Sequence, residues 1–343
     1  MNVRVMIAAC LLVAGSAAQA QTTPETFFKG KTINVIVPFT AGGINDLAAR
    51  LVARHMPAYI PGKPGMVVQN QPAAGGLALA NRFANAVEKD GLTLSIMGRA
   101  LPQFQIMGDP NANFDPLKFT WLGSLSSYEN DAYLLLLNST AAAKSAADLK
   151  KPGPALPLGA NRTGSANVTF ALIARDVLKL NVQVVRGFPG ANDITLAMQR
   201  NEVEGQAIDL SAIVSSQREL WTSKKVRPVV QFGRVTRMAD MPDVPTGREL
   251  VSDKDDLALL TFAELPFFMA LPFAGPPDIP ADRAKALQGA FMDMAKDKAF
   301  LADAEKVGID ISAIDGEKVR KLIEEATRTP PDVLARFKKL VAE

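Results

Sequence analysis

The sequence predicts an α/β protein with two doubly wound lobes and a ligand cleft between them. Short β-branched apolar runs alternate with longer segments of helical period, a pattern typical of βαβ units and parallel sheets, and the alternation occurs twice. A length of 343 residues suits two domains, and 48% apolar residues are enough for two cores. Because open sheets bind ligands at the carboxyl ends of their strands, we expect the site where the lobes face each other.

The start of the chain has the pattern of a cleavable signal peptide. Arg4 gives a positive beginning, Val5–Val13 is an apolar stretch too short to span a bilayer, and small residues precede a cut after Ala20. We therefore expect export to the periplasm. An alternative is a lipobox at Ile7–Cys10 with an acylated cysteine, which leaves an unusually short apolar stretch before the cut. Cleavage after Ala20 leaves no cysteine, and this excludes disulfides and thiolate catalysis.

Charge and hydropathy narrow the class of partner. The formal net charge of +3 is close to balance, so no strong field favours nucleic acid or an anionic membrane. After the signal peptide, no run reaches the ~18 consecutive apolar residues of a membrane span. We expect a soluble monomer with a small ligand, no cofactor and no nucleic-acid partner.

The first lobe begins with a buried strand, and the helix after it has Leu47, Leu51 and Val52 on one face. Asn45 or Asp46 suits the cap of that helix. In chain order, the predicted elements are strand Ile33–Val37, helix Asp46–Met56, strand Met66–Gln69, helix Leu77–Val87 and strand Leu92–Met97.

The second lobe repeats this plan after a mixed region. A Pro/Gly turn at Pro152–Pro154 separates its first helix from its second strand. The predicted elements are strand Ala132–Leu137, helix Ala146–Lys150, strand Ala155–Leu158, helix Asn167–Leu178, strand Val182–Arg186, helix Asn192–Arg200, strand Gly205–Ile208, helix Ser211–Leu220 and strand Arg227–Gln231.

The tail of the chain is predicted to return to the first lobe. Its elements are strand Phe268–Phe273 and helices Ala281–Lys296, Lys298–Val307, Glu317–Thr327 and Asp332–Val341. The predicted division is therefore a signal peptide at 1–20, a first lobe at 21–125 and roughly 266–343, and a second lobe at 126–265.

The loop Pro38–Asp46 joins a buried strand to a helix through two glycines, Gly42 and Gly43. Glycine permits positive φ and close approach of the backbone, and the unpaired N–H groups of a helix start attract anions. The alternative is a tight turn that uses glycine for packing. The loop is not a phosphate P-loop because no Lys-Ser/Thr pair follows the glycines. Ala73–Gly76 repeats the arrangement after the second strand.

Polar residues follow other strands at the predicted cleft. Arg99 comes after the third strand and suits a carboxylate clamp, with a surface arginine as the alternative. In the second lobe, Asn161–Asn167 offers ligand contacts, although Ser165 and Asn167 also suit helix caps. Asp209 ends a further strand, where its alternatives are a hinge contact or a helix cap.

Catalysis finds little support in the residue pattern. His55 is the single histidine and lies at the far end of its helix from the glycine loop, so the cleft lacks a histidine for a Ser-His-Asp set or a metal cluster. We expect a surface histidine. The charged run Asp253–Asp256 reads as a solvated loop between elements and not as a cation site. No catalytic or metal-binding residue is therefore predicted.

Motifs along the chain resemble the Bug family, the extracytoplasmic receptors of tripartite tricarboxylate transporters. The match covers nearly the whole mature chain in order. The residues that carry it are Lys31-Thr32-Ile33, Val37–Gly43, Asp46, Ala49-Arg50, Val68–Gly76, Asp90–Leu94, Gly187–Gly190, Gly205–Asp209 and Pro272–Pro277.

The resemblance implies a type II periplasmic binding protein fold that closes on a carboxylate like a Venus flytrap. The partners it implies are a small carboxylate and the small and large membrane subunits of a secondary transporter. In the family, two glycine loops and one small-residue loop hold the carboxylate. The ligand-binding residues predicted from the pattern and the resemblance together are Phe39, Ala41, Gly42, Gly43, Asn45, Asp46, Gly75, Gly76, Arg99, Asn161, Arg162, Thr163, Gly164, Ser165 and Asp209.

Three departures from the family pattern concern the substrate. Arg99 stands where many members have small hydroxyl residues, Arg162 lies inside the second-lobe loop, and Leu210–Ile213 is apolar. Two arginines would favour a second carboxylate on the ligand, yet each could equally point outward. The possible ligands are therefore di- or tricarboxylates, aromatic carboxylates and acidic amino acids. The rival functions are a ligand sensor for a signalling membrane protein and a periplasmic hydrolase.

Overall fold

The computed structural model describes residues 23–72, 76–161 and 165–342. The predicted signal peptide lies outside these ranges, as do four predicted site residues, Gly75, Arg162, Thr163 and Gly164. Every helix within the described ranges is too short or too polar to cross a bilayer.

Strands and helices alternate along most of the chain. The strands are β1 (Thr32–Val37), β2 (Gly65–Asn70), β3 (Thr93–Ile96), β4 (Thr120–Ser124), β5 (Tyr133–Asn138), β6 (Leu156–Gly159), β7 (Val182–Val185), β8 (Gly205–Asp209), β9 (Val226–Phe232), β10 (Pro272–Gly275) and β11 (Ile314–Asp315). The helices are α1 (Pro24–Phe28), α2 (Ile44–His55), α3 (Leu77–Asn85), α4 (Leu101–Ile106), α5 (Ala166–Asp176), α6 (Ala191–Gln199), α7 (Leu210–Ser216), α8 (Arg218–Thr222), α9 (Lys254–Phe268), α10 (Ala281–Met294), α11 (Lys298–Lys306), α12 (Gly316–Thr327) and α13 (Pro331–Ala342).

The strands form two sheets of the same plan. The first has the order β11-β4-β10-β3-β1-β2 and the second β7-β6-β8-β5-β9. In each sheet three parallel strands are followed by an antiparallel one, β10 in the first and β5 in the second. The sheets are therefore mixed. The alternation of strands and helices had predicted parallel sheets, and this prediction is wrong for β5 and β10. The reason is that β5 and β10 each enter their sheet directly after the chain has left the other one.

Two crossover segments connect the sheets and run side by side. The first follows β4 and the second follows α9. The backbone N–H of Leu125 donates to the carbonyl of Leu271 (3.1 Å), and that of Ala270 donates to the carbonyl of Ser126 (2.9 Å). Such paired segments are suitable hinges because a few residues absorb the change in backbone angles when lobes move. The domain boundaries near 125 and 266 stay a prediction.

Helix α9 was not predicted, and the predicted strand start at Phe268 is wrong because the helix continues to that residue. The charged run at its start is also not a loop: the Asp253 carboxylate accepts hydrogen bonds from the backbone N–H groups of Asp255 and Asp256 (both 2.9 Å) and caps the helix. The apolar residues of α9 are distributed around the whole helix, so its sequence lacks the apolar period of an amphipathic helix. Pro266 inside α9 also looks like the end of a helix in the sequence.

The hydrophobic core explains why α9 is apolar all round. One cluster of buried side chains runs from Phe83 in the first lobe through Phe262 and Phe267 of α9 to Phe170 in the second lobe. The last helix, α13, packs against α9 and α5 and so also contacts the second lobe. The two lobes are thus joined by continuous apolar packing at the back of the cleft.

Other predicted elements differ in smaller ways. The predicted helix Ser211–Leu220 is divided into α7 and α8 at Gln217, and Ala146–Lys150 is a single 3₁₀ turn at Asp148–Lys150. The mixed region before the second lobe contains α4 and β4, which the pattern did not reveal. The short strand β11 and the helix α1 were not predicted either, while the four tail helices and the other predicted strands lie within a few residues of their predicted positions.

Candidate ligand-binding cleft

A cavity of about 670 Å³ lies between the two lobes. Its volume falls in the range of pockets that hold small molecules. The first lobe and the crossover segments contribute Phe39, Ile44, Asn45, Gly98, Arg99, Ala100, Leu101, Phe104, Ser126, Tyr128, Asp131, Ala270 and Leu271. The second lobe contributes Asp209, Ser211 and Ala212, and the tail contributes Val307, Gly308, Ile309 and Asp310.

Arg99 faces this cavity from the carboxyl end of β3. A turn in which the Leu101 N–H donates to the Gly98 carbonyl (3.0 Å) turns the chain into α4 and presents the side chain. The guanidinium carbon lies 5.0 Å from the centre of the Phe267 ring, a cation–π contact. Arg99 makes no hydrogen bond or ion pair with any residue that the structure describes. Its five N–H donors are therefore available to a ligand.

Asp209 lies on the opposite side of the cavity, where β8 ends and α7 begins. The hydroxyl of Tyr128 donates to its carboxylate, and the Tyr128 ring packs on Phe267 with centroids 4.8 Å apart. Burial raises the pKa of Asp209, and the positive charge of Arg99 offsets part of that rise. The two charges therefore influence each other across the cavity.

Asp131 and Asp310 add two further carboxylates to the wall. Asp131 is buried and accepts hydrogen bonds from the N–H groups of Ala132 (2.8 Å) and Ser211 (3.2 Å). Burial raises its pKa, these bonds lower it, and the negative charge of Asp310 raises it again. Asp310 accepts one bond from the Asn130 amide (3.1 Å), while its other oxygen is buried without a hydrogen-bond partner.

The glycine loop is braced from inside by Asp46. The buried Asp46 carboxylate accepts hydrogen bonds from Gly42 N–H (2.8 Å), Arg50 Nε (3.0 Å) and Asn70 Nδ2 (2.9 Å). Burial alone would raise the pKa of Asp46, but these contacts lower it to about 2. Asp46 therefore stabilises the loop and does not itself face the cavity, and the Gly42 N–H is already used. The start of α2 still directs its free N–H groups outward beside Asn45.

No known family profile matches the sequence. A UPF0065 protein of Bordetella pertussis is 26% identical over 306 residues, which cover 88% of this chain and 86% of that protein. BugT of the same organism is 31% identical over 102 residues, 30% of each chain. A UPF0065 protein of Cupriavidus necator is 30% identical over 126 residues, so the match spans about a third of its length (37%).

Solved structures with a similar fold include proteins of the same kind as these sequence relatives. A TctC solute-binding protein from Polaromonas has a TM-score of 0.68 at 16% identity, covering 91% of this chain and 98% of its own. The periplasmic binding protein BugD has a TM-score of 0.57 at 18% identity, and the match covers 90% of this chain and 97% of BugD. MatC from Rhodopseudomonas palustris, solved with bound malate, has a TM-score of 0.54 at 23% identity, and the match covers 91% of this chain and 99% of MatC.

The chain is similar in sequence to UPF0065 and Bug proteins and in fold to TctC and BugD. The resemblance read from its motifs is confirmed, and so is the fold class of two α/β lobes around a cleft. As in TctC and BugD, this fold spans nearly the whole described chain.

The cavity brings together four of the residues predicted to bind the ligand, namely Phe39, Asn45, Arg99 and Asp209. Seven others within the described ranges do not line it, which are Ala41, Gly42, Gly43, Asp46, Gly76, Asn161 and Ser165. Of these, Asp46 braces the loop, and Ser165 caps α5 by accepting from the Val168 N–H (3.4 Å). The binding roles of Gly75, Arg162, Thr163 and Gly164 stay predictions because these residues lie outside the described ranges.

Sequence reasoning missed Tyr128, Asp131 and Asp310. Each belongs to a connecting segment with no strand-end or glycine pattern, so nothing local marked it. For Asp131, a usable signal was its position directly before the predicted strand Ala132–Leu137. All three become neighbours of Asp209 only when the crossover and tail fold over the cleft.

His55 is neither at the cavity nor on the open surface. Its Nε2 lies 3.0 Å from Asp303 Oδ2 on α11, and its ring meets Phe300 edge-on with centroids 5.6 Å apart. The expectation of a surface histidine was therefore wrong, since the side chain is only 15% exposed. Within the described residues, no three acidic, histidine or cysteine side chains are close enough together to hold a metal ion.

Proposed function

We propose that this chain is a periplasmic solute-binding protein that captures a small carboxylate in the cavity between its lobes. The observation that carries the proposal is the guanidinium of Arg99, which faces the cavity between the lobes with all its donors unused by the described residues. An arginine binds a carboxylate through two parallel hydrogen bonds, and these are among the strongest in proteins. The malate bound to MatC supports the same ligand class.

Several features suit this role. Apolar side chains at Phe39, Leu101 and Phe104 cover the carbon skeleton of a ligand, while the start of α2 adds backbone donors. The paired crossover segments allow the lobes to close on the ligand. Closure follows from the extra contacts that the ligand makes in the closed state, because a ligand shifts an equilibrium only by its differential affinity.

The partner of the closed form is proposed to be the membrane part of a tripartite transporter, with its small and large subunits. The relationship to Bug and TctC proteins supports this assignment. A receptor is favoured over a hydrolase because the serine hydroxyls on the cavity wall, Ser126 and Ser211, have no histidine beside them, and His55 pairs with Asp303 elsewhere. The periplasm and the signal peptide form part of the same proposal.

Isothermal titration of the purified mature chain tests the ligand class. The panel contains C4–C6 dicarboxylates, aromatic carboxylates and amino acids. We expect at least one to bind, and Arg99→Gln to weaken its binding by about 100-fold, since removing one partner of a desolvated charge pair costs about 2–5 kcal/mol. Arg82→Gln, at an exposed arginine of α3 away from the cavity, is the matched control and should leave the affinity unchanged.

Two results would overturn the proposal. One is the failure of every carboxylate to bind or to raise the melting temperature. The other is unchanged affinity in Arg99→Gln at an unchanged fold by circular dichroism. A signalling receptor would bind equally well, so coupled uptake by cells that lack the gene, with and without its restoration, separates transport from sensing.

A further inference from the structure

The charges on the cavity wall are unequal in sign. Among the described residues that line the cavity, Arg99 is the positive group, whereas three carboxylates, Asp131, Asp209 and Asp310, line the same space. A site for a ligand with two or three carboxylates would need the opposite balance, because like charges in a partly desolvated cavity repel strongly.

Among the described residues, none of these three carboxylates forms an ion pair at contact distance. Asp209 has the hydroxyl of Tyr128, and Asp131 has two backbone N–H groups. Arg234 does not line the cavity, and it donates to the carbonyls of residues 128, 129 and 131 and, through Nε, to that of Thr236. The hydrogen bonds of Arg234 thus go to the backbone of the wall and not to the carboxylate of Asp131.

Asp310 adds a second observation on the same wall. Its Oδ2 atom is buried and has no hydrogen-bond partner in the part of the chain that the structure describes. A buried acceptor without a donor costs free energy, so such atoms usually have a partner in the working protein. The three carboxylates are too far apart to hold one metal ion, so an N–H donor on the ligand is the partner that suits them.

We infer that the ligand is a zwitterion, with a carboxylate held by Arg99 and a cationic amino group held on the opposite wall, and that Asp209 selects for this amino group. The inference rests on the proposed receptor function and narrows its ligand class. It replaces the expectation that extra arginines favour a second carboxylate, because the charge facing Arg99 across the cavity is negative.

The selection acts through attraction and repulsion together. An ammonium group beside Asp209 gains a charge-assisted hydrogen bond, while a second carboxylate at the same position meets a like charge. A methyl group there gains nothing and leaves the carboxylate unpaired. Affinity should therefore fall in the order amino, methyl, carboxylate on any carbon skeleton that fits.

The experiment compares ligands that differ only at this group. Two skeletons are used. The first gives 4-aminobutanoate, pentanoate and glutarate, and the second gives 4-(aminomethyl)benzoate, 4-ethylbenzoate and 4-(carboxymethyl)benzoate. Titration calorimetry on the full mature chain should give the amino form an affinity about ten-fold or more above the other two on at least one skeleton.

Substitutions identify the residue responsible. Asp209→Asn keeps the oxygen that accepts from Tyr128 but removes the charge, so the amino form should lose about ten-fold and the dicarboxylate should gain. Asp310→Asn provides a second variant with a loss in the same direction. Asp282→Asn, at an exposed carboxylate in the first turn of α10, is the matched control and should change neither.

The outcomes separate the two levels of the proposal. If the methyl or dicarboxylate form binds as well as the amino form, the inference fails while the carboxylate receptor stands. If no compound of either skeleton binds, both fail. Unchanged preference in a folded Asp209→Asn assigns no selection to Asp209 and overturns that part, and if this variant does not fold, the ligand series on the unmodified chain still decides.

Discussion

Asp46 is a residue of the binding loop that acts without facing the ligand. Its buried carboxylate accepts hydrogen bonds from Gly42 N–H, Arg50 and Asn70, and these bonds fix the shape of the loop in the absence of ligand. Arg99 does the reverse, because no other described residue uses its N–H donors. The difference is one of geometry: α2 turns Asp46 inward, while the turn after β3 presents Arg99 to the cavity.

Asp46→Asn should lower stability in a way that depends on pH. The folded pKa of about 2 is below the usual 3.8, so the ionised form is favoured by folding. This contribution is fully present above about pH 4 and is lost as the pH falls towards 2. Urea unfolding at pH 6 and pH 3 should show part of the acid loss of the natural chain missing from the variant. Equal losses in both chains would contradict this account.

At the scale of elements, the close approach of helix α12 to strand β4 requires a residue without a side chain at their contact. Helix α12 begins at Gly316, and a Cβ added there would lie 1.9 Å from the carbonyl oxygen of Trp121 on β4. The short strand β11 ends at the preceding residue and pairs with the same strand, so this corner has no room to move. Glycine is needed here for space and not for its backbone angles.

Gly316→Ala should therefore destabilise the chain by about 2–3 kcal/mol, since α12 must move away from the sheet. The matched control is Gly289→Ala in α10, where an added Cβ meets nothing within 4 Å. That change should raise stability by about 0.5–1 kcal/mol through helix propensity. Urea denaturation of both variants measures the contrast, and equal stabilities would refute the packing argument.

At the scale of the whole molecule, one arginine holds the first crossover in position. Arg234 Nη1 donates to the carbonyls of Tyr128 (2.8 Å), Glu129 (2.7 Å) and Asp131 (2.8 Å). Tyr128 sits at a positive φ of 61°, which is costly for a bulky side chain and persists because its surroundings enforce it. The crossover thus links hinge geometry to two residues of the cavity wall.

Arg234→Ala should weaken binding of the best carboxylate in the titration panel by about ten-fold, because the released segment must be ordered again when the ligand binds. Amide exchange of residues 128–131 should become faster in the free protein. Arg237→Ala is the control in the same loop, since Arg237 pairs with Glu249 and contacts the Pro242 carbonyl instead. Similar effects from both variants would show that Arg234 has no special role at the hinge.

The sequence by itself determined the local features of this protein. Strand and helix positions follow from apolar period, and the glycine turns and caps follow from residue chemistry, so β1, α2 and the four tail helices were predictable. Arg99 and Asp209 could be proposed because each ends a predicted strand. These features depend on residues that are close together along the chain.

Only the tertiary structure decided the rest. The antiparallel positions of β5 and β10 and the burial of Leu259–Phe267 of α9 apart from Thr261 and Pro266 depend on which elements become neighbours, and no local period shows that. The cavity combines Arg99, Asp131, Asp209 and Asp310 from four distant segments, so its charge balance exists only in the folded chain. For this reason the sequence could point to a carboxylate, while the assembled wall is what points to an amino group beside it.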